Sequence, residues 1–149
     1  MRSATLPGRF ERLVIAGRPA VLDGAHNPMK LAALVATLQD VHPGARFPWV
    51  LAVKQNRDLR AAVRVIAPAA SLVVATRFAT GDGDHPAGTS VPAEQIAVAA
   101  GECGVEAVVE EDPAGAVARA AESADAGLPV VVSGSFHLLA AVRPGTTTR

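Results

Sequence analysis

Val21-Leu22-Asp23-Gly24-Ala25-His26-Asn27-Pro28 decides the fold. An apolar run stops at a carboxylate, turns on a glycine and presents an imidazole. It then restarts as a helix, with Asn27 as cap and Pro28 in the first turn, where a missing N–H has no helical partner to lose. Beyond it, Leu31, Leu34, Val35 and Leu38 recur at the i, i+3, i+4, i+7 spacing of a helix with one buried face. That helix runs from Pro28 to about Val41 and is stopped by His42-Pro43-Gly44. A strand, a loop of ligand-type side chains and a helix form the unit from which an open parallel sheet builds a binding edge.

Upstream, Phe10 to Ile15 and Pro19 to Leu22 are β-prone runs separated by Ala16-Gly17-Arg18, which suits an antiparallel hairpin. Downstream, Pro48 to Val53 is continuously apolar, as in a strand covered on both faces. A helix follows from Asp58 to Ile66, then a strand from Leu72 to Thr76 and a long surface loop from Arg77 to Val91. Pro92-Ala93-Glu94 opens a helix to about Cys103, and Val105 to Val109 is a strand. Asp112-Pro113 opens a helix to about Ala126, and Leu128 to Val132 is the last apolar strand. The alternation predicts a three-layer, Rossmann-like α/β unit: a mostly parallel sheet, helices on both faces, and an antiparallel N-terminal hairpin strand. Residues 1–149 are expected to form a single domain, with 1–5 and 144–149 flexible.

Composition sets the class. With 50% hydrophobic, 19% charged and only 3% aromatic residues and no Tyr, the core is expected to be built from Ala, Val, Leu and Ile. Fourteen basic residues balance 14 acidic ones, so no global field draws the chain to nucleic acid or to an anionic membrane. No apolar stretch approaches the roughly 20 residues of a membrane helix, and a cytoplasmic location is expected. The lone Cys103 has no disulfide partner and reads as a buried apolar residue on a helix ending at Gly104. No zinc-type spacing occurs, and Thr80-Gly81-Asp82-Gly83-Asp84-His85 reads as a solvated acidic turn, so no metal site is expected.

Three of the predicted strands end in polar groups that a parallel sheet would bring to one edge: Asp23 with His26, Lys54 with Arg57 and Asp58, and Ser133 with Ser135. Asp23 and His26 beside a helix start suit an anion and a hydroxyl-bearing ligand, while the plainer alternative has Asp23 capping a turn and His26 packing on the sheet. Arg9, after a Pro7-Gly8 turn, is either a phosphate fork or a solvated side chain. Ser133-Gly134-Ser135 lacks the Gly-x-Ser-x-Gly elbow of a hydrolase. Gly134 instead suggests backbone amides open to a ligand carboxylate, with Ser135 donating a hydrogen bond.

Taken together, Leu6-Pro7-Gly8-Arg9-Phe10-Glu11, Leu22-Asp23-Gly24-Ala25-His26-Asn27-Pro28 and Gly134-Ser135-Phe136-His137-Leu138 resemble motifs of the C-terminal domain of folylpolyglutamate synthase/dihydrofolate synthase, in the Mur ligase superfamily. The resemblance implies an ATP-dependent ligase. ATP phosphorylates a folate or pteroate carboxylate, and the amine of L-glutamate attacks the acyl phosphate. It implies nucleotide contacts for Arg9 and Asp23, and a place near the terminal phosphate and incoming glutamate for His26 and Ser135, with His26 the catalytic candidate. Asn27, Arg57, Asp58, Ser133 and His137 are secondary candidates; Arg57 stands where the family has Lys, and His137 where Tyr is usual. ATP and Mg2+ are implied for the complete enzyme, with the metal ligands mainly on a preceding P-loop domain, supplied in cis or in trans. This chain contains no Gly-x-x-x-x-Gly-Lys-Ser/Thr, so it is expected to bind neither tightly and to be inactive alone. The alternatives are a free-standing nucleotide- or glutamate-binding module and a Mur-type ligase domain acting on peptidoglycan precursors.

Overall fold

A computed structural model describes residues 8–15, 17–55, 57–78, 90–125 and 127–143. Leu6-Pro7, the Thr80 to His85 turn and the ends 1–5 and 144–149 lie outside the described residues. The elements in chain order are β1 (Glu11–Ile15), β2 (Arg18–Asp23), α1 (Pro28–Val41), β3 (Phe47–Leu51), α2 (Leu59–Ile66), a 3-10 turn (Ala67–Ala69), β4 (Ala70–Ala75), α3 (Ala93–Glu102), β5 (Ala107–Val109), α4 (Pro113–Ser123), β6 (Val130–Ser133) and α5 (Phe136–Val142). The strands form one sheet in the order β1-β2-β6-β3-β4-β5. Only β1 is antiparallel, joined to β2 as a hairpin; the other four pairings are parallel. This is the mixed, helix-flanked α/β architecture that the alternation predicts.

The parallel strands serve both faces, because successive side chains point to opposite sides. Val21, Trp49, Leu51, Val73, Ala75 and Val131 face α1, α2 and α3, which contribute Leu31, Leu34, Leu38, Val63, Ile66 and Ile96. Leu22, Val50, Val74, Val130 and Val132 face α4 and α5, whose Ala116, Val117, Ala120, Leu138 and Leu139 complete the second layer. The core is aliphatic as expected, but its two largest fully buried side chains are Trp49 and Phe47. These two aromatic residues fill the largest volumes of the core, whereas Phe136 is exposed.

Where the boundaries differ, a local hydrogen bond decides. Val105 lies outside β5 because its N–H closes the end of α3 on the Ala100 carbonyl. The helix expected to reach Ala126 stops at Ser123, since Ala124 takes an extended conformation. Cys103 is exposed, not buried: it is the C-cap of α3, and Gly104 at φ +81° turns the chain away before the thiol can reach the core. The expectation missed α5, whose seven residues are too few to display a periodic pattern. Among the described residues no helix is long and apolar enough to cross a membrane.

One topological detail positions the site. Adjacent parallel strands β2 and β6 hand the chain to opposite faces, β2 to α1 and β6 to α5. Their carboxyl ends therefore flank a crevice, the usual location for a ligand in an open α/β sheet.

Candidate functional site

The crevice is a cleft of about 220 Å3 whose lining includes Arg9, Asp23, His26, Lys30 and Phe136. This is less than the roughly 300–1,000 Å3 of pockets that enclose a whole ligand. One wall is the turn before β1, where Gly8 at φ +78° and Phe10 at φ +46° are both left-handed and Arg9 stands between them. A bulky residue such as Phe at positive φ stores about 1–3 kcal/mol of strain and persists only where its surroundings over-determine it.

The surroundings do so here. The Phe10 N–H donates to Asp23 Oδ2 at 2.9 Å, and the Gly24 N–H to the Gly8 carbonyl at 2.7 Å. The Gly8 N–H donates to Glu11 Oε1 at 2.9 Å, and Arg143 Nη1 on the far side of α5 donates to Glu11 Oε2 at 2.7 Å. The Arg143 hydrogen bond first, then the Gly8 N–H, holds the Glu11 carboxyl below its usual range. Arg9 is thereby presented on a preformed turn, with its guanidinium exposed and in no ion pair among the described residues.

Asp23, at the end of β2, also caps its own turn, Oδ1 accepting from the Ala25 N–H at 2.8 Å. Each carboxylate oxygen therefore has one backbone donor and keeps a further lone pair for a hydroxyl. The ring of His26 meets the Gly24 carbonyl through Nδ1 at 3.1 Å. A carbonyl only accepts, so the neutral ring carries its proton on Nδ1 and leaves Nε2 as an acceptor. Asn27 Oδ1 caps α1 by accepting from the Lys30 N–H at 2.8 Å.

The structure brings Arg9, Asp23 and His26 into one cleft and adds Lys30, which the sequence reasoning missed. A signal existed: a cation in the first turn of a helix opposes the macrodipole, and such a placement calls for an anion nearby. Phe136 was also missed as a site residue. The remaining candidates do not line the cleft. Ser135 is buried at the start of α5, its Oγ accepting from the His137 N–H at 3.0 Å, which leaves the hydroxyl proton to donate. His137 is exposed and stacks on Phe78, with ring centroids 5.4 Å apart. Asp58 caps α2 through the Ala61 N–H at 3.1 Å, and Arg57 is exposed beside it.

Two expectations are corrected. Ser133 is fully buried and its Oγ accepts from the Trp49 indole N–H at 2.7 Å, so it satisfies the core's largest side chain and offers nothing to a ligand. Gly134 does not open an amide to a ligand: its N–H donates to the Ala25 carbonyl at 2.9 Å. It is glycine because a Cβ would overlap the Ala52 carbonyl oxygen, at a φ of +114°.

Two cations with no ion pair among the described residues, a carboxylate with spare lone pairs and an imidazole acceptor suit a ligand that is anionic at one end and hydroxylated at the other. The sequence profile of the Mur ligase, glutamate ligase domain matches residues 8–136. The chain belongs to that family. Solved structures agree with this assignment. Folylpolyglutamate synthase from Thermotoga maritima superposes with a TM-score of 0.76 at 28% identity, over 97% of this chain and 31% of that one. The Mycobacterium tuberculosis folylpolyglutamate synthase complexed with ADP and AMPPCP gives 0.73 at 28% identity, over 99% and 34%. The bifunctional folylpolyglutamate synthase/dihydrofolate synthase of Yersinia pestis complexed with AMPPNP and Mn ion gives 0.74 at 28% identity, over 93% and 30%. This Mur ligase glutamate ligase domain therefore spans about a third of the length of each. No curated protein sequence matches it as a relative.

Proposed function

We propose that this chain supplies the C-terminal half of the active site of an ATP-dependent folate-type ligase, one that joins L-glutamate to a folate or pteroate carboxylate through an acyl phosphate. The observation that carries the reading is the cleft at the β2/β6 divergence, where Arg9, Lys30, Asp23 and His26 meet in a chain of this family. In this reading Arg9 and Lys30 bind phosphate oxygens and Asp23 accepts ribose hydroxyl protons. His26, through Nε2, faces the terminal phosphate and the incoming amine as acceptor, and Ser135, if exposed on closure, donates to glutamate.

The donor set fits a nucleotide and does not fit the metal. Among the described residues no three His, Cys, Asp or Glu side chains come close enough together to hold an ion. The magnesium ligands and the cradle for the β- and γ-phosphates are assigned to a P-loop domain outside this chain, and the cleft closes between the two. On its own this polypeptide is expected to show no ligase turnover, because the positive groups that stabilise a transferring phosphoryl group are largely missing.

Titrating the chain with ADP while following backbone amide shifts tests the assignment. The expected result is weak binding, of order millimolar, since much of the contact surface is absent. The perturbed amides should be those of Gly8 to Phe10 and Gly24 to Asn27, and Arg9→Ala should weaken binding about tenfold. Shifts confined to other parts of the chain, or substantial ATP turnover by the chain alone, would overturn the proposal.

A further inference from the structure

Phe136 opens α5 with 52% of its surface exposed, an unusual place for a large ring with no polar handle. The ring touches two turns at once. A Cβ built on Gly24 would stand 2.5 Å from its Cζ, 2.6 Å from Cε1 and 2.7 Å from Cε2, and one built on Gly8 would stand 2.5 Å from Cε1. The ring tip therefore sits where Gly24 would carry a side chain, and one ring edge sits where Gly8 would. Gly8 is required by its φ of +78° in any case. Gly24 is not in the left-handed region, so its φ does not call for glycine; the three atoms that a Cβ there would meet first all belong to the ring.

From this geometry we propose that Phe136 is a positioning residue. Its ring, seated between Gly8 and Gly24, holds the strained Arg9 turn on the Asp23 to His26 turn and so sets the spacing between the cleft's guanidinium and its carboxylate and imidazole. Hydrogen bonds alone join the two turns edge to edge, through Gly24 to Gly8 and Phe10 to Asp23. Such a seam resists separation better than it resists sliding. A ring wedged against both backbones and anchored on a third element, α5, blocks the slide. Leu139 next along α5 lies behind the same seat, 3.4 Å from a Cβ at Gly8. The ring's outer half forms part of the cleft wall, so its exposure follows from its role.

The inference rests on the proposed function for its ligand readout only. The test is a cycle of Gly24→Ala, Phe136→Ala and the double variant of this chain, read first by amide shifts and amide exchange without ligand. In the Phe136 background, Gly24→Ala should expel the ring and move the Gly8, Arg9 and Phe10 amides. In the Phe136→Ala background the new methyl meets open space, so the second substitution should add almost nothing. Phe136→Ala alone should speed exchange of the Gly24 amide. In ADP titrations, Phe136→Ala should weaken binding about tenfold, and Arg9→Ala should then cost little more, because an unpositioned guanidinium has little left to lose. Additive amide effects, or Arg9 turn amides unchanged by Phe136→Ala, would overturn the inference. Failure of the wild-type chain to bind ADP would sink the proposed function and leave the ligand-free cycle to decide on Phe136. Phe136→Leu, with intermediate shifts expected, replaces the alanine variant if that one does not fold.

Discussion

The two edges of the sheet treat glycine in opposite ways. At the amino ends of the parallel strands, Gly17, Gly44, Gly104 and Gly127 all have positive φ, and a Cβ at any of them would meet nothing within 4 Å. At the carboxyl edge, Gly8, Gly24 and Gly134 have no such room, being pressed against the Phe136 ring or the Ala52 carbonyl. The first set turns the chain; the second lets loops approach each other more closely than side chains permit. A domain that needs only to fold requires turns at both edges, whereas close approach at one edge alone marks where the backbone has been arranged around a site.

The comparison can be broken at its strongest point first. Gly134→Ala combines a backbone overlap with a left-handed φ, and unfolding in urea should show a loss of at least about 3 kcal/mol. A loss below about 1 kcal/mol would mean that the β3 and β6 loops can part freely, and the contrast between the edges would fall.

The Glu11 clasp sharpens the contrast by a smaller amount, because among the described residues the amino edge has no counterpart of Arg143 and the Gly8 N–H acting on one carboxylate. The Glu11 carboxyl is held below its ordinary 4.5 in the folded chain. Its contribution is therefore full above the unfolded value and is lost as pH falls through the lower, folded one. Comparing stability at neutral pH and near pH 3 for the wild-type chain and Glu11→Gln should show a smaller acid loss in the variant, by under about 1 kcal/mol for a pair this close to solvent. Equal pH profiles would remove the clasp from the account.

The smallest effect belongs to the amino edge. Gly104→Asn places a residue that tolerates the left-handed region into open space, so its midpoint should lie within about 0.5 kcal/mol of the parent. A loss as large as that of Gly134→Ala would show that the two edges are not different in kind.

Much of this was legible in the chain itself. The helix from Pro28 to Val41 declares its cap, its first-turn proline and its buried stripe, and every one of those signals is local. Asp23, His26 and Arg9 were legible as candidates because their motif lies within 18 residues of one another. Phe136 was not, since it joins the cleft only through the packing of α5 on the sheet, whereas Lys30 was passed over although its place in the first turn of α1 carried a signal. Ser133 misled because its position at a strand end says nothing of the indole that reaches it from β3, 84 residues away in sequence. Cys103 misled because helical spacing continues on paper past the point where Gly104 bends the real chain.

By itself, then, the sequence determined the alternation of elements, the parallel sheet with its hairpin, and which short stretches could carry chemistry. Those properties depend on neighbours a few residues apart, where periodicity, caps and turn residues act. Only the tertiary structure decided which side chains share a cleft, which hydroxyl is consumed by the core, and why Gly24 has no side chain. Those outcomes depend on contacts between segments far apart in the chain, such as Trp49 with Ser133, Gly24 with Phe136 and Glu11 with Arg143. No local pattern encodes a distance between segments so far apart in the chain.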